Sequence, residues 1–341
     1  MINTLYRLVS PKQIEIAYEE IDLNKDEVIV RPAYLSICNA DQRYYQGIRD
    51  PEVLSKKLPM ALIHEGVGVV VYDKTQKFRS GDIVAMIPNI PVEKDPIISE
   101  NYLYSSKFRS SDVDGFLQNY VIFSPDRLVK IDNDVNYKVA AFSEIISVII
   151  HAINRFDEFS HGRRNSIGIW GDGTVAYITV VMLKNSFPDT ELIVFGKNQD
   201  KLSYFTLADQ VYCINRIPSD LEVEHAFECV GGQKSQTAIE QIIDKIKPEG
   251  TISLLGVSEY PVAINTRMIL EKGLKLFGTS RSSREDFLKV IKLLENNSEI
   301  VGYLENIVTS EIKIRSIDDI KHAFERDYEL GFGKTILIWN K

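Results

Sequence analysis

Two groups of residues in this chain have the types and spacing to do chemistry. The first is Cys38, in Ser36-Ile37-Cys38-Asn39-Ala40-Asp41, followed 26 residues later by His64 and Glu65 in Ile63-His64-Glu65-Gly66-Val67-Gly68. Taken singly, a cysteine is usually a small buried residue and a histidine a hydrogen-bonded loop residue. Together, a thiolate, an imidazole and a carboxylate are the donors of an open catalytic zinc site. The second group is Gly171-Asp172-Gly173-Thr174-Val175-Ala176, a G-x-G-x-x-A pattern after the apolar run Ser166-Ile167-Gly168-Ile169-Trp170. Gly171 permits a tight turn and Gly173 lets the backbone approach a pyrophosphate. Thr174 and Val175 open the helix whose N-terminus would face that group, and the small Ala176 lets helix and strand pack closely.

The end of the next apolar run qualifies the cofactor. An NAD site usually places a carboxylate there to bind the ribose hydroxyls. Here Ile193-Val194-Phe195 ends in Gly196-Lys197, and Lys197 can pair with a 2′-phosphate, so the expectation is NADPH. A solvated loop lysine is the plainer alternative. Gly331-Phe332-Gly333-Lys334-Thr335 resembles the tail of a phosphate-binding loop. Tyr328 occupies the place of its first glycine, so the segment reads as a turn entering the last strand.

These groups must be positioned by two kinds of architecture. Before residue 140 the chain carries short β-rich runs, such as Val28-Ile29-Val30 and Gly66 to Val71, separated by turn signals at Arg79-Ser80-Gly81-Asp82 and Pro88-Asn89. That texture predicts an antiparallel, barrel-like domain. From about 165 strands and helices alternate. Strands are expected at 166–170, 191–195, 210–214, 226–230, 251–255 and 274–277, with helices at 174–187, 198–205 and 233–246. Six short apolar strands alternating with helices predict an α/β fold with a doubly wound parallel sheet. Helix 317–329 and strand 334–339 lack a further unit of this kind and are expected to return to the first domain. The expected division is therefore 1–145 with 280–341, and 146–279.

Composition narrows the class. The chain has 341 residues, enough for about two domains, and 44% of them are hydrophobic, as in globular proteins. A net charge of −8 disfavours nucleic acid as a partner, although it leaves room for a local basic pocket. Three cysteines form no disulfide framework and suit a reducing compartment. The opening residues lack a signal-peptide pattern, and the most apolar windows fall short of a membrane span. A cytoplasmic protein is expected. His161, His225 and His322 have polar neighbours and are read as structural.

In their order along the chain, Cys38-x-x-Asp41, His64-Glu65-Gly66-x-Gly68, the G-x-G-x-x-A pattern and Phe227-Glu228-Cys229-Val230-Gly231 resemble the zinc-dependent medium-chain alcohol and polyol dehydrogenases over essentially the whole chain. The resemblance implies a GroES-like catalytic domain and a Rossmann domain. It implies that Cys38 and His64 bind the catalytic zinc, with Glu65 beside the metal or entering its shell. The third protein ligand of that family falls on Glu144, in Ser143-Glu144-Ile145-Ile146. Glu144 also interrupts an apolar run, where a lone charge would be costly to bury. A first-turn carboxylate favoured by the helix dipole is the alternative. Asp41 is expected to orient His64. Ala40 departs from the Ser or Thr that many relatives carry to relay a proton, so solvent or a substrate hydroxyl is expected to take that role. The cysteines of an optional structural zinc are missing between Pro88 and Ser111, so one zinc per chain is expected.

Within that family the stretches 38–45, 101–111, 168–173 and 225–232 resemble the ribulose-5-phosphate reductases of teichoic-acid biosynthesis. This implies NADPH-dependent reduction of D-ribulose 5-phosphate to D-ribitol 5-phosphate, passed to a cytidylyltransferase partner. A homodimer is also expected. A phosphosugar requires a fixed cation near the zinc, and Arg43 and Arg109 are the candidates, because arginine recognises phosphate bidentately. Arg281 is a further candidate for contact with cofactor or substrate. The alternatives are a polyol dehydrogenase acting on an unphosphorylated sugar alcohol and a non-catalytic NADP-binding regulator.

Overall fold

In the computed structural model, which describes residues 1–132 and 135–339, the six apolar runs form one parallel sheet. Its order is Gln210–Cys213, Glu191–Gly196, Ser166–Trp170, His225–Glu228, Thr251–Leu254 and Lys275–Gly278. The order reverses between Ser166–Trp170 and its neighbour His225–Glu228, and ligands of open α/β sheets bind outside the strand ends at such a point. All five residues of Ser166–Trp170 are buried, as expected of a strand covered on both faces. Trp170 and Phe195 stack with ring centroids 4.0 Å apart. Burying two such side chains contributes several kcal/mol, at about 1.5–3 kcal/mol for each large apolar group.

The helix expected at 198–205 is shorter, spanning Gln199–Leu202. Asn198 caps it by accepting from the amides of Asp200 and Lys201. Beyond it lie Ser203, Tyr204, Phe205 and Thr206, all indifferent helix formers. The chain turns there and buries Phe205 edge-on against Tyr177, at 5.6 Å.

The chain divides into two compact units, Met1–Ser147 with Arg281–Lys341, and Val148–Ser280. In the first, the larger sheet runs Leu128–Lys130, Ile83–Met86, Glu65–Asp73, Val28–Ser36, Lys334–Trp339 and Val308–Ile314, with Val121–Phe123 also paired to Val28–Ser36. The final strand lies antiparallel to Val28–Ser36, pairing Ile336 with Ser36. The strand after His64 approaches Val28–Ser36 so closely that a Cβ at Gly68 would lie 2.5 Å from Val30 Cγ1 and 2.7 Å from the Arg31 carbonyl oxygen. Only glycine fits there, which ties the Gly66-x-Gly68 spacing to packing. Among the described residues no helix is long and apolar enough to cross a membrane.

Candidate active site

Cys38 lies two residues beyond the strand Val28–Ser36 and is the N-cap of the helix Asn39–Tyr45, whereas His64 and Glu65 sit where the chain enters the neighbouring strand Glu65–Asp73. Antiparallel pairing of these two strands, with Ser36 opposite Glu65, brings the two sequence motifs together. Cys38, His64 and Glu65 each offer one donor atom, and these atoms all lie within 4.8 Å of one another.

Asp41 organises the group. Fully buried, its Oδ1 accepts from the Ile63 amide at 3.0 Å and the Ser110 hydroxyl at 2.6 Å, and lies 3.2 Å from His64 Nδ1. Its Oδ2 accepts from the Cys38 amide at 3.2 Å. Burial opposes the Asp41 charge, but His64 and these donors outweigh it and lower its pKa. A His64 proton on Nδ1, directed at Asp41, leaves Nε2 as the ligand atom. Ile63 and Ser110 both adopt left-handed backbone, with φ of 70° and 61°. For a β-branched residue such as Ile63 that conformation is strained, of order 1–3 kcal/mol, and strain of this kind gathers at functional sites. The Ile63 amide bond to Asp41 and the Phe116 amide bond to the Ile63 carbonyl, at 2.6 Å, hold it. Phe108 packs against the imidazole, with centroids 5.3 Å apart.

Sequence reasoning missed Lys334. Its Nζ lies 2.6 Å from Glu65 Oε2 and donates to the Ile37 carbonyl at 3.0 Å. Both partners of this ion pair are buried. The signal was a single charge opening the apolar strand Lys334–Trp339, but a glycine on its N-terminal side made it look like a turn residue. Glu65 Oε1 has no hydrogen-bond donor among the described residues.

The donor set fits a zinc ion. A thiol, an imidazole whose other nitrogen faces a carboxylate, and a carboxylate oxygen left without a donor are what the metal requires. The electrostatics agree. Burial raises the pKa of the Cys38 thiol and the Glu65 charge adds to it, while Asp41 and Cys38 overcome burial to hold His64 well above its ordinary value. The pocket thus draws positive charge. Glu144 lies outside the 4.8 Å group but belongs to the same electrostatic neighbourhood. Burial pushes its carboxyl up to about 7, Glu65 and Asp41 push the same way, and His64 and Lys334 oppose them.

In the second unit, Gly171 has φ of 139°, and a Cβ there would lie 3.1 Å from the Cys229 carbonyl oxygen. Gly173, before the helix Thr174–Ser186, leaves open space where its side chain would be. The helix opens at Thr174 and Val175, and the N-terminus of a helix suits an anion. Lys197 is exposed at the end of the second strand. A carboxylate does stand nearby, contrary to the simplest sequence reading. Asp172 Oδ2 accepts from the amides of Lys197 and Asn198, at 2.7 and 2.6 Å, so it fixes the backbone from which Lys197 projects. Glu228 likewise pins the sheet's C-terminal edge, with Oε1 accepting from Val230 and Gly231 and Oε2 from Gly256.

The phosphate candidates part company. Arg43 lies in the last turn of the helix Asn39–Tyr45, where burial and the neighbouring Arg49 charge lower its pKa. Arg109 is held by the chain itself. Its guanidinium donates to the carbonyls of Asp114 and Ile122 and lies 4.7 Å over the Phe123 ring. It holds the loop together, and a substrate would have to break those contacts to reach it.

Comparison with known proteins agrees with this geometry. The alcohol dehydrogenase GroES-like domain family matches residues 24–133, and the zinc-binding dehydrogenase family matches residues 206–296. The chain is 51% identical to the ribulose-5-phosphate reductase of Bacillus spizizenii over 339 residues, 99% of each protein. It is also 51% identical, over the same 339 residues and 99% of each protein, to ribulose-5-phosphate reductase 1 of Staphylococcus aureus. The crystal structure of S. aureus TarJ in complex with NADPH superposes with a TM-score of 0.89 at 46% identity, covering the whole of both chains.

Proposed function

Since the chain belongs to the zinc-binding alcohol dehydrogenase family, we propose that it is a ribulose-5-phosphate reductase, forming D-ribitol 5-phosphate from D-ribulose 5-phosphate with NADPH. Full-length identity to reductases of that name carries this reading, and the cluster of Cys38, His64 and Glu65 supports it. Zinc and NADPH are its cofactors. The product would supply CDP-ribitol and poly(ribitol phosphate) teichoic acid through a cytidylyltransferase. On the same reading the enzyme is a cytoplasmic homodimer.

Cys38, His64 and Glu144 are the proposed protein ligands, with Glu65 able to join them. Zinc bound there supplies a Lewis acid for the ketose carbonyl, and NADPH supplies the hydride. The chain's own residues prepare the site. Asp41 fixes the His64 tautomer and, through the Ile63 amide, the turn that carries it. Lys334 balances the charge of Glu65 within the protein, so that a third anion need not weaken the metal's pull on the substrate. At the second site, Gly171, Gly173, Thr174 and Val175 would cradle the pyrophosphate while Lys197 pairs with the 2′-phosphate. Position 40 is alanine, so the proton that completes the alcohol is assigned to solvent or a substrate hydroxyl.

The test is NADPH oxidation across phosphorylated and free pentuloses, with metal measured on the same sample. Turnover that strongly favours ribulose 5-phosphate over free ribulose, with one zinc per chain, supports the proposal; a preference for unphosphorylated ketoses would replace it with the polyol reading.

A further inference from the structure

We propose that Arg281 and Lys57, gathered by Asp112 around Phe108, hold the substrate phosphate; this rests on the ribulose-5-phosphate reductase reading above. Lys57 Nζ lies 2.7 Å from Asp112 Oδ1. Asp112 Oδ2 accepts the Phe108 amide at 2.9 Å, and Arg281 Nη2 stands 3.7 Å from that oxygen, beyond hydrogen-bond range. Two cations therefore share one carboxylate, half of which is already taken up by the backbone. A net positive charge remains for an anion.

The cluster is tied to the metal site through Phe108. The Arg281 guanidinium lies 4.7 Å over the Phe108 ring, whose centroid is 5.3 Å from that of His64. The guanidinium carbon is thus no more than about 10 Å from the imidazole centroid. In an extended pentulose 5-phosphate the phosphorus lies roughly 6–7 Å from the C2 carbonyl oxygen, at ordinary bond lengths. A carbonyl at the metal and a charge-assisted contact of about 2.8 Å at the phosphate span that interval.

The mounting is suited to recognition. Arg281 has φ of 59°, a strained conformation for a side chain of this size, and the residues after it are anchored. Ser282 is buried with its hydroxyl 2.6 Å from that of Ser147, and Ser283 caps the helix Arg284–Asn296 through Asp286. Arg281, Lys57 and Asp112 are each about one-third exposed, so solvent and a ligand can reach them. An arginine fork beside a lysine point charge matches a phosphate dianion.

The variants Arg281→Met, Lys57→Met and their combination test this, with Arg281→Lys as the conservative control. Kinetics with ribulose 5-phosphate and with free ribulose are paired with calorimetric binding of inorganic phosphate. The expected result is a KM for ribulose 5-phosphate raised about tenfold to a hundredfold by Arg281→Met, the loss expected for a charge-assisted contact. Turnover number and efficiency on free ribulose stay near wild type, phosphate binding weakens in step, and Arg281→Lys recovers part of the loss. Equal losses on both ketoses, or unchanged phosphate binding, would overturn the assignment. Wild-type enzyme indifferent to the phosphate would instead overturn the functional reading, with phosphate calorimetry still deciding the subsite.

Discussion

Replacing Lys334 by methionine removes one partner of a buried ion pair while nearly keeping its volume. Lys334 and Glu65 expose 4% and 0% of their surfaces, and their charges lie 2.6 Å apart. Removing one member of such a pair leaves the other charge uncompensated in the interior, which costs about 3–5 kcal/mol. The Ile37 carbonyl also loses its donor, adding about 1 kcal/mol. Zinc changes the account, because a cation beside Glu65 compensates the same carboxylate. Urea denaturation of Lys334→Met should therefore show a loss of about 4–6 kcal/mol in chelator-treated protein, and about half of that with zinc. Lys334→Arg should recover most of it. A loss below about 1 kcal/mol without metal, or an identical loss with and without zinc, would refute the argument that this lysine holds a charge belonging to the metal site.

Three further outcomes follow from the same geometry. Asp41→Asn should weaken zinc binding about tenfold to a hundredfold, the usual effect of losing a ligand's supporting carboxylate, as read by competition with a chromogenic chelator. Lys197→Ala should lower kcat/KM for NADPH about tenfold while leaving NADH unchanged, the loss expected for one charge-assisted hydrogen bond; an equal fall with both cofactors would remove Lys197 from the 2′-phosphate site. His225 is fully buried, with Nδ1 accepting from the Thr251 amide, and burial followed by the nearby His161 charge depresses its pKa to about 4. Below its ordinary value of 6.5 the unfolded chain binds a proton that the folded one refuses, so this stability is complete above pH 6.5 and lost as the pH falls towards 4. The loss is on the order of 3 kcal/mol, and His225→Gln should abolish that part of the pH dependence in denaturation curves taken at pH 7.5 and 4.5.

The parallel sheet was legible because its inner strands, such as Ser166–Trp170 and His225–Glu228, are short runs between turn signals that are buried on both faces. Boundaries moved where local chemistry decided them, as at Asn198, whose side chain caps a single turn of helix. Cys38, His64 and Glu65 could be paired from their donor types even though 26 residues separate the first two. The elements that complete the site were not legible, because they reach it by tertiary folding. Lys334 arrives from the other end of the chain on a strand laid against Val28–Ser36. Phe108 comes from the two-residue strand Lys107–Phe108 and Ser110 from the turn after it, both too short to show periodicity. Arg109 illustrates a different limit: an arginine beside aromatic and serine residues looks the same in sequence whether its guanidinium meets a ligand or two backbone carbonyls. Asp172 was hidden inside the glycine pattern, where its reach to the Lys197 amide depends on the neighbouring strand.

The central claim, that a zinc held around Cys38 and His64 serves the reduction of a phosphorylated ketose by NADPH, is tested most directly on one sample of purified protein. Zinc content and NADPH oxidation with ribulose 5-phosphate and free ribulose are measured together, before and after chelation. The account predicts one zinc per chain, turnover that strongly favours the phosphorylated ketose, and loss of that turnover with the metal and its return on adding zinc. Turnover that survives complete removal of zinc, or that is indifferent to the phosphate, would contradict it.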